Sequence, residues 1–197
     1  MRKTMITAAA LAVVCTMGVI SCTDKASAET TDVNAITTIS HDSLIHRGEY
    51  LVAIMGCNDC HSPKVMGPQG PQIDSSRLLS GHPAELKTSA APADALQSWV
   101  LLSHSGTAAV GPWGTSYAAN ISSDETGIGN WTEEQFFKAI REGKYKGMDN
   151  TRPLLPPMPW QAYRDASDED LKAIFAYLKS TPPVDNNVPA PQPPAQP

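Results

Sequence analysis

The sequence has few cysteines, no excess of basic residues and no regular alternation of apolar and polar positions. Its 15 lysines and arginines are outnumbered by 20 aspartates and glutamates, which gives a formal net charge of −5. This balance argues against a nucleic-acid-binding protein, which would present a basic face. Without sustained alternation, long half-buried strands are not expected, and the pattern predicts a mainly α-helical domain. Hydrophobic residues make up 41% of the chain, which favours a folded core over disorder.

The first residues have the pattern of an export signal. Arg2 and Lys3 are followed by an uncharged, mostly apolar run from Ile6 to Ile20. This run is shorter than the ~20 residues that a membrane-spanning helix needs. We therefore expect an exported protein on the periplasmic side of a bacterial membrane, without a spanning helix.

Two cleavage sites fit this signal. Val19-Ile20-Ser21-Cys22 resembles a bacterial lipobox, in which the cysteine is lipidated and becomes the first residue. Ala26-Ser27-Ala28 is the alternative, a small-residue site of the ordinary type. We favour the lipobox, because Cys22 directly follows the apolar run. It predicts a signal peptide over 1–21 and a lipid anchor on Cys22, since two or more acyl chains suffice for stable anchoring.

The remaining chain divides by composition. Residues 22–42 are rich in Thr, Ser, Ala and Asp, which predicts a flexible tether. Residues 43–181 form the expected folded domain. Seven of the 17 prolines lie in 182–197, which predicts a Pro-rich disordered tail.

Three helices are predicted within the domain. The first begins at Ser43, carries Leu44, Leu51, Val52 and Met55 on one face, and ends near Gly56. The second begins at Thr132, forms a capping box with Gln135 and ends at Gly143. The third is capped by Ser167, follows the helical period through Leu171, Ile174, Phe175 and Leu178, and ends before Pro182.

A long irregular insertion separates the first two helices. Residues 62–130 contain eight glycines and six prolines, a density that disfavours long regular elements. Within this insertion, 93–103 can form a short helix with Leu96, Val100 and Trp99 facing inward. Such a long irregular region in a compact domain is usually functional.

The sequence Cys57-Asn58-Asp59-Cys60-His61 carries the chemistry. Two thiols at this spacing can add to the two vinyl groups of haem, and the adjacent histidine can then bind the iron, which is the pattern of c-type haem attachment. A zinc site would need further Cys or His ligands, but the other cysteines, Cys15 and Cys22, lie in the signal region. A thioredoxin-like disulfide would need a βαβ context. One such motif predicts one covalent haem c.

The sixth ligand decides what this haem does, because a thioether ligand suits electron transfer and an open position suits binding of gases or peroxide. The best candidate is Met158, between Pro157 and Pro159, which restrict the backbone around it. The alternatives are methionines at 148 and 66 and histidines at 82 and 104. Asn120, Trp131 and Arg152 are candidates to hydrogen-bond the haem propionates, since buried carboxylates need donors.

These features resemble the class I mono-haem cytochromes c. The resemblance rests on Arg47-Gly48-Glu49-Tyr50-Leu51, the Cys57–His61 motif, the Met158 segment and Ala176-Tyr177-Leu178. It implies a cytochrome c-like helical domain in which the first and last helices cross closely. In this family a glycine and an aromatic residue fill that crossing, and Gly48 and Tyr177 would do so here.

A narrower resemblance concerns the cytochrome c subunits of bacterial membrane dehydrogenases and their single-haem relatives. It is carried by Ala118-Ala119-Asn120-Ile121, by the stretch from Thr126 to Phe136, and by Pro157-Met158-Pro159. In that group the Met-Pro methionine is the axial ligand. The dehydrogenase subunits carry three haem domains, whereas this chain has one motif.

The sequence thus predicts a periplasmic electron carrier rather than an enzyme, with iron held by His61 and Met158. Its expected partners are a redox donor and acceptor, such as a dehydrogenase, a respiratory complex or an oxidase. Two alternatives stay open, a haem-based sensor or gas-binding protein with a labile sixth ligand, and a small haem peroxidase.

Overall fold

The computed structural model describes residues 40–194, so the predicted signal peptide, most of the tether and the lipidation site at Cys22 lie outside the described residues. Within this range five α-helices and five short strands are connected by turns and short 3₁₀ segments. The helices are α1 (His41–Ile54), α2 (Cys57–His61), α3 (Glu133–Glu142), α4 (Trp160–Tyr163) and α5 (Asp168–Ser180). The strands are β1 (Lys64–Gly67), β2 (Gly70–Ile73), β3 (Leu101–Leu102), β4 (Ala108–Gly111) and β5 (Gly114–Tyr117). No helix of the described part is both long and apolar enough to cross a bilayer.

The three long helices begin where polar side chains cap free backbone N–H groups. Ser40 accepts a hydrogen bond from Ser43 N–H, so α1 begins two residues earlier than predicted. Thr132 and Gln135 form the predicted capping box at α3. Ser167 accepts from Asp170 N–H at the start of α5. The starts of α3 and α5 are thus confirmed.

Helices α1 and α5 cross closely at Gly48. A Cβ on Gly48 would overlap the Ala173 carbonyl and lie 2.7 Å from Tyr177 Cβ, so only glycine permits this approach. The residue pair that the cytochrome c resemblance implied at this crossing is therefore confirmed. The surrounding core combines the apolar faces of α1, α3 and α5 with two loop residues; its buried members include Leu51, Val52, Leu79, Ile128, Phe136, Leu171, Ile174 and Leu178.

The described region contains both helices and sheets, so the predicted mainly α-helical fold is confirmed only in part. Strands β1 and β2 form one antiparallel hairpin, and β3, β4 and β5 form a second antiparallel sheet in that order. All five strands lie in the insertion that was expected to be irregular. Each has at most four residues, which is too short for a period of two to stand out in the sequence.

The prediction for 93–103 was wrong. Only Ala95–Gln97 forms a 3₁₀ turn, and the chain then enters β3. Trp99 is 68% exposed and Val100 is 48% exposed, so neither faces the interior. The short segment around Trp99 is rich in Ser and Leu, so its sequence resembles one turn of an amphipathic helix. A single turn is too short to form a helix that buries one face.

The C-terminal segment from Pro182 to Pro194 differs from the predicted disordered tail. Asn186 is only 4% exposed, and Gln192 exchanges two backbone hydrogen bonds with Thr115 at the edge of β5. A Cβ at Gly114 would overlap the Gln192 carbonyl, which shows how closely this segment lies against the sheet. Composition misses this contact because it rests on specific backbone and amide hydrogen bonds rather than on apolar burial.

Candidate functional site

A mostly apolar cavity lies between α2, the second sheet, α3, α5 and the segment before α4. Cys57, Cys60 and His61 border it from α2, and Met158 borders it from the segment before α4. Core side chains complete the wall, among them Ile121, Ile128, Phe136, Ile140, Leu171 and Ile174. The structure therefore brings the predicted attachment motif and the predicted methionine to one cavity.

The two thiols lie on a single helical turn that begins at Gly56. Gly56 adopts φ +70°, a left-handed conformation that reverses the chain between α1 and α2. Neither thiol is engaged in a disulfide. Burial raises the pKa of Cys57 to about 11, and burial also raises the pKa of Cys60. Both groups are therefore neutral thiols at pH 7 and border an apolar space.

His61 is oriented by a hydrogen bond to the backbone. Its Nδ1 lies 2.7 Å from the carbonyl oxygen of Ala119 and donates to it, since a carbonyl only accepts. Nδ1 is therefore the protonated nitrogen, and Nε2 carries the free lone pair. Burial lowers the pKa of His61, which keeps the ring neutral. A neutral imidazole whose other nitrogen donates to a carbonyl is the common form of a metal-binding histidine.

Lys64 caps the C-terminal end of α2. Its Nζ donates to the carbonyl oxygens of Asn58 at 3.0 Å and Ser62 at 2.9 Å, and also to that of Asp59. The Asn58 carbonyl also accepts the N–H of Ser62 at 3.3 Å. The ammonium therefore lies at the negative end of the helix dipole, where a positive charge is favourable. The contact fixes the turn that carries Cys60 and His61.

The segment that contains Met158, residues 154–159, is held by two hydrogen bonds on the N-terminal side of the methionine. Leu154 N–H donates to the carbonyl of Gly143 at 2.7 Å, just after α3. Ser116 Oγ donates to the carbonyl of Pro156 at 2.6 Å and so joins the segment to β5. The prolines on either side of Met158 restrict the remaining backbone freedom, and the thioether is presented with little ordering cost.

Two of the three predicted propionate partners border the cavity, and one does not. Trp131 and Arg152 are in its wall, and the Arg152 guanidinium lies 4.0 Å from the ring centre of Tyr145. Asn120 does not border the cavity, and its side chain is hydrogen-bonded elsewhere. Its Nδ2 donates to Thr126 Oγ1 at 2.9 Å and to the Val184 carbonyl at 2.8 Å. With these partners Asn120 organises a loop and the C-terminal segment, which corrects its expected place in the cavity.

The alternative sixth ligands lie away from the cavity wall. Met66 is 76% exposed on β1, and Met148 is 44% exposed beside α3. His82 is fully buried, but both of its ring nitrogens are engaged, with Thr107 Oγ1 and the Leu86 carbonyl, each at 2.9 Å. His104 is exposed on the turn between β3 and β4. Among the candidates named from the sequence, Met158 alone is brought to the cavity.

Several residues that shape the site could not be identified from the sequence. The acceptor of the His61 hydrogen bond is a backbone carbonyl, which any residue type provides. Tyr163 OH donates to the Met55 carbonyl at 2.6 Å and joins α4 to the end of α1. Gly81 adopts φ +75° beside Ala119, and the glycine itself was the only signal of this conformation in the sequence.

The residues present fit a covalently bound haem. Two neutral thiols on one helical turn, an imidazole with a free Nε2 and a thioether all border the same apolar cavity. Trp131 and Arg152 add polar groups to the same wall, as the carboxylates of a haem would require. This combination of sulfur and nitrogen donors matches the attachment and axial ligation of c-type haems.

Comparison with curated proteins finds relatives among bacterial dehydrogenase subunits. The gluconate 2-dehydrogenase cytochrome c subunit of Pantoea cypripedii is 33% identical over 140 residues, which is 71% of this chain and 23% of that protein. The fructose dehydrogenase cytochrome subunit of Gluconobacter japonicus is 33% identical over 160 residues, 80% of this chain and 24% of that protein. The alcohol dehydrogenase (quinone) cytochrome c subunit of Gluconobacter oxydans (strain 621H) is 30% identical over 138 residues, 70% and 21% respectively.

The chain spans less than a quarter of the length of these relatives. No family model matches the chain. The aligned lengths nevertheless amount to 70–80% of this chain, and the names of the relatives support an electron-transfer cytochrome with haem c as the implied cofactor. More particularly, this chain resembles the cytochrome c subunits of bacterial membrane dehydrogenases, which confirms the resemblance stated from its motifs.

Proposed function

We propose that this chain is a periplasmic electron carrier with one covalent haem c, ligated by His61 and Met158. The observation that carries the proposal is that Cys57, Cys60, His61 and Met158 border a single apolar cavity. The chain contains one Cys-x-x-Cys-His motif, which supports one haem rather than several.

The proposed roles follow from the chemistry of each side chain. Cys57 and Cys60 would hold the haem covalently, because a thiol can add across a vinyl group to give a thioether. His61 presents Nε2 because its Nδ1 donates to the Ala119 carbonyl. Met158 presents a thioether from a restrained segment. When bound, the haem supplies an iron that gains and loses one electron.

The cavity wall contributes to the reduction potential. Its apolar side chains exclude water, which disfavours the more highly charged ferric state and raises the potential. A thioether ligand acts in the same direction. With His61 and Met158 both binding the iron, the site would favour electron transfer over binding of small molecules, and we propose no catalytic residue.

We propose a dehydrogenase as one redox partner, because the relatives are cytochrome subunits of dehydrogenases. A respiratory complex or an oxidase would take the electron onward. Electron-transfer encounters of this kind are brief and bury small interfaces. The apolar start of the sequence and the lipobox-like Val19–Cys22 support export and a lipid anchor on Cys22.

The attachment of the haem tests the proposal directly. The full chain is produced in a bacterial host that matures c-type cytochromes, with the double variant Cys57→Ala/Cys60→Ala beside it. We expect the wild-type protein to keep its haem in acidic organic solvent and to gain the mass of one haem. The double variant should release all of its haem, because no thioether remains.

A Cys22→Ala variant is the matched control, since it removes a cysteine outside the motif. It should retain covalent haem while losing the acyl chains from the mature N-terminus. Extractable haem in the wild-type protein, or haem retained by the double variant, contradicts the proposed attachment. An unmodified mature N-terminus at Glu29 contradicts the proposed lipid anchor alone.

A further inference from the structure

The segment that follows α5 lies against the backbone that orients His61. Residues 182–194 run back from α5 across two loops to the edge of β5. Within it, residues 184–186 are here named the C-terminal clamp. It lies outside the helices that the cytochrome resemblance accounts for, and nothing in the proposed electron transfer uses it.

Asn186 binds the loop from Ser80 to Ala84 with its whole side-chain amide. Its Nδ2 donates to the carbonyls of Ser80 at 2.7 Å and His82 at 2.9 Å, and its Oδ1 accepts from Ala84 N–H at 2.9 Å. Only this orientation of the amide pairs every donor with an acceptor. Asn186 is 4% exposed, so these bonds are shielded from water. The three bonds hold the loop in one conformation.

That loop, together with Leu79 just before it, contacts His61 and both sides of Ala119. Gly81 N–H donates to the His61 carbonyl at 2.8 Å. His82 N–H donates to the Ala118 carbonyl at 2.9 Å, and Ile121 N–H donates to the Leu79 carbonyl at 2.9 Å. The carbonyl of Ala119, which accepts the His61 Nδ1–H, therefore lies between two backbone bonds, one to the loop and one to Leu79.

The C-terminal clamp also reaches the other neighbour of Ala119. The Val184 carbonyl accepts from Asn120 Nδ2 at 2.8 Å, and Asn186 N–H donates to Thr126 Oγ1 at 3.0 Å. The same short segment thus fixes Asn120 on one side and the loop of Gly81 on the other. Both sets of contacts therefore restrict the position of one atom, the carbonyl oxygen of Ala119.

We propose that Asn186 is a positioning residue for the axial histidine. It fixes the Ala119 carbonyl through the loop from Ser80 to Ala84, and this carbonyl fixes the tautomer and orientation of the imidazole. The inference rests on the proposed function, because it concerns the residue proposed to bind the iron. It adds a residue that lies 125 positions from His61 in the sequence, does not border the cavity and is not hydrogen-bonded to the imidazole.

The chain supplies a matched control at the next position. Asn187 is the same residue type, is exposed, and makes no side-chain hydrogen bond in the described part of the chain. We compare Asn186→Ala with Asn187→Ala in the haem-loaded, ferrous protein. The measurement is hydrogen exchange by NMR at His61 Nδ1–H and at the amides of Gly81, His82 and Ile121, with the α5 amide of Ile174 as an internal reference.

In Asn186→Ala we expect exchange about tenfold faster at His61 Nδ1–H and at the three loop amides, because the loop opens more often once its side-chain bonds are lost. Ile174 should exchange at the wild-type rate. Asn187→Ala should match the wild type at every site. A second variant, Asn186→Asp, keeps the bond from Ala84 N–H but loses both donations, and it should also exchange faster at the same sites.

Equal exchange rates in Asn186→Ala and Asn187→Ala overturn the inference. A uniform increase that includes Ile174 also overturns it, because it shows a general loss of stability. Haem attachment is measured by mass in every sample before the exchange. A wild-type chain without covalent haem overturns the proposed function, whereas normal attachment with unchanged exchange overturns only the role of Asn186.

Discussion

Gly81 lies beside the carbonyl that accepts the hydrogen bond from His61. Its φ of +75° is in the left-handed region, and a Cβ there would lie 2.5 Å from the Ala118 carbonyl oxygen and 2.6 Å from that of Ala119. Both the conformation and the space therefore require glycine. At this scale the site depends on main-chain atoms, which the identity of the ligand-bearing residues does not reveal.

Replacing Gly81 with alanine is expected to destabilise the protein by about 3 kcal/mol, combining the strained φ with steric overlap. Gly70→Ala is the control, because Gly70 also has positive φ but no atom lies within 4 Å of its added Cβ. That variant should lose only about 1 kcal/mol. Denaturant unfolding of both variants measures the difference, and equal losses would show that the contact with Ala118 and Ala119 is not tight.

Among the secondary-structure elements, the crossing of α1 and α5 has the largest effect on the position of the attachment motif. Gly48 removes the side chain that would separate the two helices, and Tyr177 covers the contact. The last turn of α1 then leads through Gly56 into α2, so the crossing sets the direction in which the thiols and His61 enter the cavity. The attachment motif is short, and its place depends on this longer pair of helices.

Gly48→Ala is expected to cost about 3 kcal/mol, although alanine is the better helix former, because the new Cβ overlaps the Ala173 carbonyl. Glu49→Ala, at the exposed neighbouring position, should stay within about 0.5 kcal/mol of the wild type. Thermal unfolding followed by circular dichroism distinguishes the two. A Gly48→Ala protein as stable as wild type would rule out the close crossing.

The elements that could be predicted are those with strong local signals. The capping box of Thr132 and Gln135 and the cap at Ser167 mark helix starts in the sequence, and both occur in the structure. The strands could not be predicted, because four residues or fewer give no readable alternation. The side-chain hydrogen bonds of Asn186 could not be predicted either, since they join positions more than 100 residues apart.

The candidate site likewise contains residues that the sequence could identify and residues that it could not. Spacing alone singled out Cys57, Cys60 and His61, because attachment of a haem requires those residue types in that order. The flanking prolines singled out Met158. Asn120 was misplaced because an amide that hydrogen-bonds a loop has the same sequence signal as an amide that binds a ligand.

For the whole molecule, one cavity joins the helical core to the second sheet. Residues from α2, β4, β5, α3 and α5 border it, together with the Met158 segment and Pro191 of the C-terminal segment. A cofactor bound there would contact both the helical core and the second sheet. We therefore expect the haem-free protein to be much less stable than the loaded one, because a ligand that binds only the folded state stabilises it.

Unfolding of the loaded protein and of the Cys57→Ala/Cys60→Ala variant after haem extraction measures this coupling. The expected result is a lower midpoint for the extracted variant, which recovers when free haem is added back. An extracted variant that unfolds at the wild-type midpoint would mean that the cavity is not organised around the cofactor.

The most direct test of the account is the ferric absorption spectrum of the wild-type protein, Met158→Ala and Met148→Ala. We expect the weak red band of a sulfur-to-iron bond in the wild type and in Met148→Ala, whose methionine lies outside the cavity, and its loss in Met158→Ala together with a lower midpoint potential. A band that persists in Met158→Ala, or a wild-type ferrous protein that binds carbon monoxide rapidly without denaturant, would contradict the proposed ligation and favour a sensor or an enzyme.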